Sequence, residues 1–361
     1  PALAKGDILN GGKVDNWIRL AYGLKARFLL HTSKKANFDG AAVLAAAGNG
    51  PQTEAQSSVM QYVDEGPTIT NAAKEALQYT NTGLTARFTK LYIDYIDNNY
   101  TGAPTGAGNL PDPRKALIIP RMANNAGVLV YSQGVDMTSE LPKTGPAGYT
   151  YNTNSNSFNN KDSVYVMLRK TPYAPTAGQR IQSTGSWYTQ RGAKGLLLTN
   201  AEMRFIEAEV LLRQNKPTEA LTAYKAGIRA HMALMGIATG SIDPFLASTS
   251  VVQAPNDLTL SHIMIQKYIA MSFSVETWAD MRRNNFCADG AGVYNEATGV
   301  YKGFRRPSHI FVEAYPNATD WPRRFAVPSY EINYNIDQVL KANPAASQPT
   351  YLNQAVWWDK P

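Results

Sequence analysis

The residues that could carry out chemistry are two carboxylate pairs and one arginine pair. Asp94 and Asp97 lie three positions apart, and Glu207 and Glu209 two apart; a pair of carboxyl groups flanking a cleft is the device of glycoside hydrolysis. On a helix, residues three apart share a face and residues two apart do not. Helical carboxylates are mostly solvated or ion-paired, and these four are read that way. Arg323-Arg324 with Glu331 to Asn335 could be taken for an active site, yet such polar residues also pin an irregular segment to a scaffold, because buried polar groups need partners. That motif is read as structural. No HExxH, GxSxG, P-loop or dinucleotide fingerprint occurs. The single cysteine, Cys287, has no partner for an internal disulfide, and His31, His231, His262 and His309 show no local metal spacing. These patterns point to binding, with no catalytic residue, metal or cofactor expected.

Recognition chemistry falls to the aromatics, of which there are 20 Tyr, 11 Phe and 6 Trp. Trp187 and Tyr188 lie in Gly185-Ser186-Trp187-Tyr188-Thr189-Gln190-Arg191, a polar, glycine-flanked segment without periodicity. An indole or phenol face can stack on the C–H surface of a sugar ring, while Gln190 and Arg191 could bond hydroxyls or a peptide carboxylate. Tyr149 and Tyr151, in an Asn/Gly-rich loop, are second candidates by the same logic. Trp17, Phe88, Phe205, Tyr224 and Trp278 stand at helical spacing instead and are expected in the core.

The elements that must position these residues centre on Thr199 to Met235. Thr199-Asn200-Ala201-Glu202 reads as a capping box. Ala201, Phe205, Ala208, Leu211 and Leu212 then recur at helical steps until Gln214-Asn215-Lys216, and Pro217 opens a second helix with Ala220, Leu221, Tyr224 and Ile228 as its stripe. Two helices on so short a turn pack antiparallel, and the small residues within them resemble a tetratricopeptide unit. Upstream, a helix follows Gly11-Gly12, with Asp15 as cap and Trp17, Leu20, Ala21, Leu24, Phe28 and Leu29 on its buried side. Helices are expected at Ala41 to Ala47, Thr53 to Glu65, Leu84 to Asn98 and, capped by Pro255-Asn256-Asp257, Leu258 to Asn284. In the last of these Leu260, Ile263, Met264, Tyr268, Met271, Val275 and Trp278 should be buried. Between Asn99 and Leu196, Gly, Pro, Asn, Ser and Thr crowd the chain, with strand-like pieces such as Ser163 to Arg169. So many aromatics there argue for an ordered loop layer that carries recognition. Gly290 to Gly303 reads as a turn or hairpin, Ile336 to Ala342 as a short helix, and Trp357-Trp358-Asp359 as a tail packed down on the rest.

The chain has 44% hydrophobic and 17% charged residues, enough for a sizeable core. Its formal charge of +7 is spread over scattered bases, with no basic run interleaved with aromatics, which speaks against nucleic acid. No apolar run reaches the roughly 20 residues of a membrane helix. The chain starts at Pro1 without an initiator Met and is read as a mature or truncated product.

Taken together, these motifs resemble one family, the SusD/RagB-type (SusD-like) nutrient-binding outer-membrane lipoproteins of Bacteroidetes. The residues carrying the resemblance are Lys13-Val14-Asp15-Asn16-Trp17-Ile18-Arg19-Leu20-Ala21 running on to Leu24-Lys25-Ala26-Arg27, Asp112-Pro113-Arg114, Leu198-Thr199-Asn200-Ala201-Glu202 and Glu207-Ala208-Glu209. Further matches are Gln266 to Ala270, Glu276 to Arg283, Arg323-Arg324 with Pro328 to Asn335, and Trp357-Trp358-Asp359. The resemblance covers nearly the whole chain but only the later part of a family member.

It implies a mainly α fold of tetratricopeptide-like helical hairpins with a large loop-rich, aromatic-rich insert. The division expected is one SusD-like domain over 1–361: a first helical block 13–98, a ligand-recognition layer 99–196, the hairpin and long helix 197–286, and a packed tail 287–361. It also implies a lid-like partner role on a SusC-like TonB-dependent transporter, at the cell surface of the outer membrane, held by an N-terminal lipid anchor that this chain does not contain. The expected ligand is an oligosaccharide captured at Trp187, Tyr188, Arg191, Tyr149 and Tyr151. The alternatives are an oligopeptide, as on the RagB side of the family, and a tetratricopeptide-like scaffold that binds another protein and no nutrient.

Overall fold

In the computed structural model the hairpin begins where Thr199 accepts the backbone N–H of Glu202 at 3.2 Å. The helix it caps runs Asn200–Arg213, Asn215 turns the chain with a left-handed φ of 58°, and Pro217 opens the second helix, Pro217–Leu234. Asparagine tolerates that conformation and proline suits a helix start. The structure describes residues 2–60, 88–123, 129–131, 134, 136–138, 151–152, 157–158, 186–189, 193–307 and 310–361.

In chain order the described elements are α1 (Ala2–Gly6), α2 (Val14–His31), α3 (Gly40–Asn49), β1 (Ser58–Met60), α4 (Lys90–Ile96), α5 (Lys115–Ile118), β2 (Arg121–Ala123), β3 (Leu129–Tyr131), β4 (Tyr151–Asn152), β5 (Ser157–Phe158) and β6 (Gly195–Leu198). The hairpin helices follow as α6 and α7, then α8 (Thr239–Ala247), α9 (Leu260–Ala270), α10 (Glu276–Arg283), α11 (Ser329–Tyr334) and α12 (Ile336–Ala342). The strands form two-stranded antiparallel pairs, β1 with β6, β2 with β3 and β4 with β5.

Helix α6 is the central slab. Phe205 and Ala208 face an apolar cluster with Tyr224, Ile228 and Ile263, while Met203, Ile206 and Val210 face another with Leu20, Leu30 and Val43 from α2 and α3. The close approach of α7 depends on Gly227, where an added Cβ would lie 2.8 Å from the Phe205 ring. A further cluster joins α4 and Ile118-Ile119 to Tyr188, Ile265 and Ile269. Charge crosses the same core. Arg283 meets Glu209 through Nη2 and Oε2 at 2.7 Å and Asp280 at 2.7 Å, and Lys267 meets Asp280 at 2.7 Å. Burial alone would raise the Glu209 pKa, but the Arg283 and Arg213 guanidiniums beside it hold it well below the usual carboxylate range.

The tail is tied down as expected. Asp359 binds Lys34 at 2.8 Å and Arg323 at 2.8 Å, and the Arg282 guanidinium lies 3.8 Å from the Trp278 ring and 4.6 Å from that of Trp358. Arg324 donates to the carbonyls of Gln354 and Ala355 at 2.7 and 2.8 Å, so the arginine pair is structural. Asp94 pairs with Lys90, Asp97 with Lys115 and Glu207 with Arg204.

Several expectations are corrected. Glu202 does not complete the capping box; its carboxylate turns to Arg27, with two contacts of 2.7 Å. Asp15 caps nothing, and the entry to α2 is held instead by Asp7, which accepts the N–H of Leu9, Asn10 and Gly12 and the Trp17 indole. Trp17 and Phe28 are exposed, because Leu20, Ala26 and Leu30 define the opposite, buried face of α2. Thr53 onward forms a 3₁₀ turn at Glu54–Gln56 and then β1, since Ser58 and Val59 pair with β6; residues 61–65 and 84–87 lie outside the described ones. The expected helix from Leu258 to Asn284 is two helices. Thr259 caps α9 in a reciprocal box with His262, Phe273 breaks the run with a φ of +66°, and Val275 is exposed at the break.

Candidate ligand-binding site

A cavity of about 740 Å³ opens where the segment Asn109–Lys115 passes between the end of α4 and the strand β3. Ile96 and Phe245 supply its apolar floor, and Asp97, Asn98, Asn109, Lys115 and Tyr131 its polar and aromatic walls. Each wall is held by a local cause. Asn98 ends α4 in the left-handed region at φ 53° and donates to the Ser250 carbonyl at 2.8 Å. Ser250 clamps Leu110 twice, accepting its N–H at 2.9 Å and donating to its carbonyl at 2.8 Å. Thr249 donates to the Asn109 side-chain amide oxygen, Oδ1, at 2.6 Å, and Gly106 allows that contact, since a Cβ there would meet Thr249 at 2.9 Å.

Tyr131 is 37% exposed and comes from β3 across from Arg121. The Lys115 ammonium lies over its ring at 4.9 Å from the centroid and is bound to Asp97 at 2.7 Å. The groove thus presents an aromatic ring, two amides and a mutually neutralised charge pair, the combination that orients a hydroxyl-rich ligand through stacking and side-chain hydrogen bonds.

Asp112-Pro113-Arg114 fastens this wall to the core. Arg114 is fully buried; its Nε and Nη2 hold the Asp112 carboxylate at 3.0 and 2.5 Å, and Nη2 also donates to the Gln266 amide oxygen at 2.6 Å. Its Nη1 approaches His231 Nδ1 at 3.3 Å, and His231 Nε2 reaches the Tyr188 hydroxyl at 3.0 Å. An arginine only donates, so Nδ1 accepts and Nε2 carries the proton toward Tyr188. Burial and then the Arg114 charge push His231 well below the usual histidine pKa, and burial pushes the Tyr188 phenol up.

This chain of bonds corrects the expectation for Tyr188. It is 6% exposed, packed among Ile118, Ile119 and Ile269, and offers no face to a ligand. Trp187 is half-buried and stands edge-on to Tyr188 at 5.0 Å. Arg191 and Tyr149 lie outside the described residues. Of Tyr151 only the backbone is described, in register with Phe158, and Ser163–Arg169 and His309 also lie outside. Tyr131, Lys115, Asn98 and Asn109 were not singled out from sequence, although Lys115 directly follows the Asp112-Pro113-Arg114 triplet.

With that geometry in place, the comparisons with known proteins agree on one family. The model of a SusD-like family described as "Starch-binding associating with outer membrane" matches residues 1–299, and the chain belongs to that family. No curated protein sequence matches it. A chitin-binding SusD homolog from Flavobacterium johnsoniae is similar in structure, with 19% identity and a TM-score of 0.55 over 99% of this chain and 66% of that one. A SusD homolog from Bacteroides ovatus gives 16% identity and a TM-score of 0.61 over 99% of this chain and 69% of its own length. One from Bacteroides fragilis gives 18% and 0.61 over 98% and 70%. These likenesses show the fold, mainly α with tetratricopeptide-like hairpins, and the chain spans about two thirds of these relatives' length. No helix among the described residues is long and apolar enough to cross a membrane.

Proposed function

We propose that this chain is a non-catalytic glycan-binding protein of the outer-membrane surface that takes up an oligosaccharide in the groove beside Tyr131. The observation that carries the reading is the half-exposed Tyr131 ring, with Lys115 over it at 4.9 Å, in a groove that Asn98 and Asn109 also line. The family's description as starch-binding and the chitin-binding relative support a glycan. Delivery to a SusC-like TonB-dependent transporter, from a lipid-anchored position at the cell surface, completes the role. Trp187, Arg191, Tyr149 and Tyr151 are proposed to extend the same recognition surface; Tyr188 supports it from within.

An oligopeptide is the second reading, and the groove's charges disfavour it. Peptide termini need unpaired charged groups, whereas Lys115 and Asp97 are bound to each other. Isothermal calorimetry of the chain against neutral oligosaccharides and a mixed oligopeptide digest tests the choice. Saturable heat with one glycan class supports the proposal; heat with peptides alone replaces it by the peptide reading.

A further inference from the structure

A separate cleft lies at the break between α9 and α10. Its cavity is about 170 Å³, close to the roughly 150 Å³ of an apolar cavity that admits a benzene ring, so it has room for one six-membered ring. The rings of Phe88, Tyr92, Tyr268 and Phe273 form its apolar walls, and Ser272, Ser274 and Thr277 bring hydroxyls to it. Among the described residues no charged side chain lines it. An ionised ligand would therefore lose its hydration with no counter-charge in return.

Three of the hydroxyl hydrogens at the cleft, those of Ser272, Tyr92 and Thr277, are already committed to the protein. Ser272 Oγ donates to the Ile269 carbonyl at 2.8 Å, so in the 2.6 Å contact between them Tyr92 donates to Ser272. Thr277 donates to the Ser274 carbonyl at 2.7 Å. These three oxygens keep lone pairs for the cleft, and Thr89, Tyr268 and Ser274 add further hydroxyls to it, a lining that suits a ligand rich in hydroxyl groups. Phe273 is 46% exposed and holds its left-handed φ of +66°, a conformation unfavourable for a bulky residue that is found preferentially where a site needs it. Its ring meets that of Tyr188 edge-on at 5.1 Å, so the inner wall is braced by the buried bonds described above.

We propose that the Phe273 cleft is a second ligand site, distinct from the groove at Tyr131, that takes a single neutral pyranose ring. The inference rests on the lining of the cleft and not on the reading of the groove.

Saturation-transfer NMR of the whole 361-residue chain with methyl glucoside and N-acetylglucosamine, and with glucuronate as the charged comparison, tests it. Wild type and Tyr131→Ala should both transfer saturation to the C–H protons of the neutral sugars and not to glucuronate. In the Tyr131→Ala background, Phe273→Gly should weaken binding about ten-fold or more without lowering the thermal midpoint, because glycine is at ease at that φ. Thr277→Phe in the same background, which fills the cleft, should abolish it. The proposal is overturned if wild type shows no transfer, if transfer survives in both Tyr131→Ala/Phe273→Gly and Tyr131→Ala/Thr277→Phe, or if it disappears in Tyr131→Ala, which would place the sugar in the groove.

Discussion

The Tyr188 hydroxyl lies 3.0 Å from Nε2 of the fully buried His231, and Arg114 fills the other side of the same imidazole. The ring is thereby held neutral when folded, by burial first and by the Arg114 charge second. In the unfolded chain it takes a proton near pH 6.5. Below that pH the unfolded state binds a proton that the folded state does not, so stability declines as pH falls, by up to about 1.4 kcal/mol per pH unit from this residue. Denaturant midpoints measured from pH 8 down to pH 5 should show that decline, and His231→Gln should flatten it while lowering stability overall. An unchanged slope in the variant would show that His231 protonates without cost in the fold.

The Arg283 cluster predicts an asymmetry between single and double replacements. Arg283→Met leaves the buried Glu209 carboxylate with the Arg213 ion pair and the more distant Lys267 charge and should cost about 3–5 kcal/mol in urea unfolding. Adding Glu209→Leu to it should recover part of that loss, since an apolar pair of similar volume removes the stranded charge. A double variant no more stable than the single one would mean that packing, not charge, dominates there.

The approach of α7 to α6 predicts a loss on the smallest enlargement. Gly227→Ala puts a methyl group 2.8 Å from Phe205 and should cost about 1–3 kcal/mol through overpacking, even though alanine is the better helix former. Thermal unfolding reads it directly, and a stabilised variant would show that α7 can shift away.

Trp187 predicts a mixed effect. Its edge-on contact with Tyr188 means that Trp187→Ala should lower stability, by about 2 kcal/mol for a half-buried indole, as well as weaken glycan binding. Trp187→Phe should keep most of the stability, and calorimetry on that variant isolates the part of the affinity that belongs to the indole.

The hairpin from Thr199 to Leu234 was legible because its signals are local: a hydroxyl cap, apolar residues at helical steps, a polar turn and a proline. Ile336–Ala342 was legible for the same reason; the tail is held through the buried Asp359 and through Trp358, while Trp357 is exposed. The break at Phe273 was not, because a left-handed phenylalanine has no sequence signature; apolar periodicity runs through Met271 and Val275 as if the helix continued. Trp17 and Phe28 misled because hydrophobicity marks a helix face without saying which partner covers it. The groove was hidden for a different reason. Asn98, Asn109, Lys115, Tyr131 and Ser250 come from segments far apart in the chain, and only the fold brings them together. Tyr188 shows the converse, since a tyrosine in a polar, glycine-flanked stretch is buried through a histidine 43 residues away.

Tyr131→Ala is the variant on which the account turns. Calorimetry of wild type and variant against the oligosaccharide that binds wild type should show affinity reduced about ten-fold or more, as for a central aromatic anchor, with an unchanged thermal midpoint, because the ring is partly exposed and its removal opens no cavity in the core. Full affinity in the variant, with the fold intact, would contradict the assignment of the groove as the glycan site.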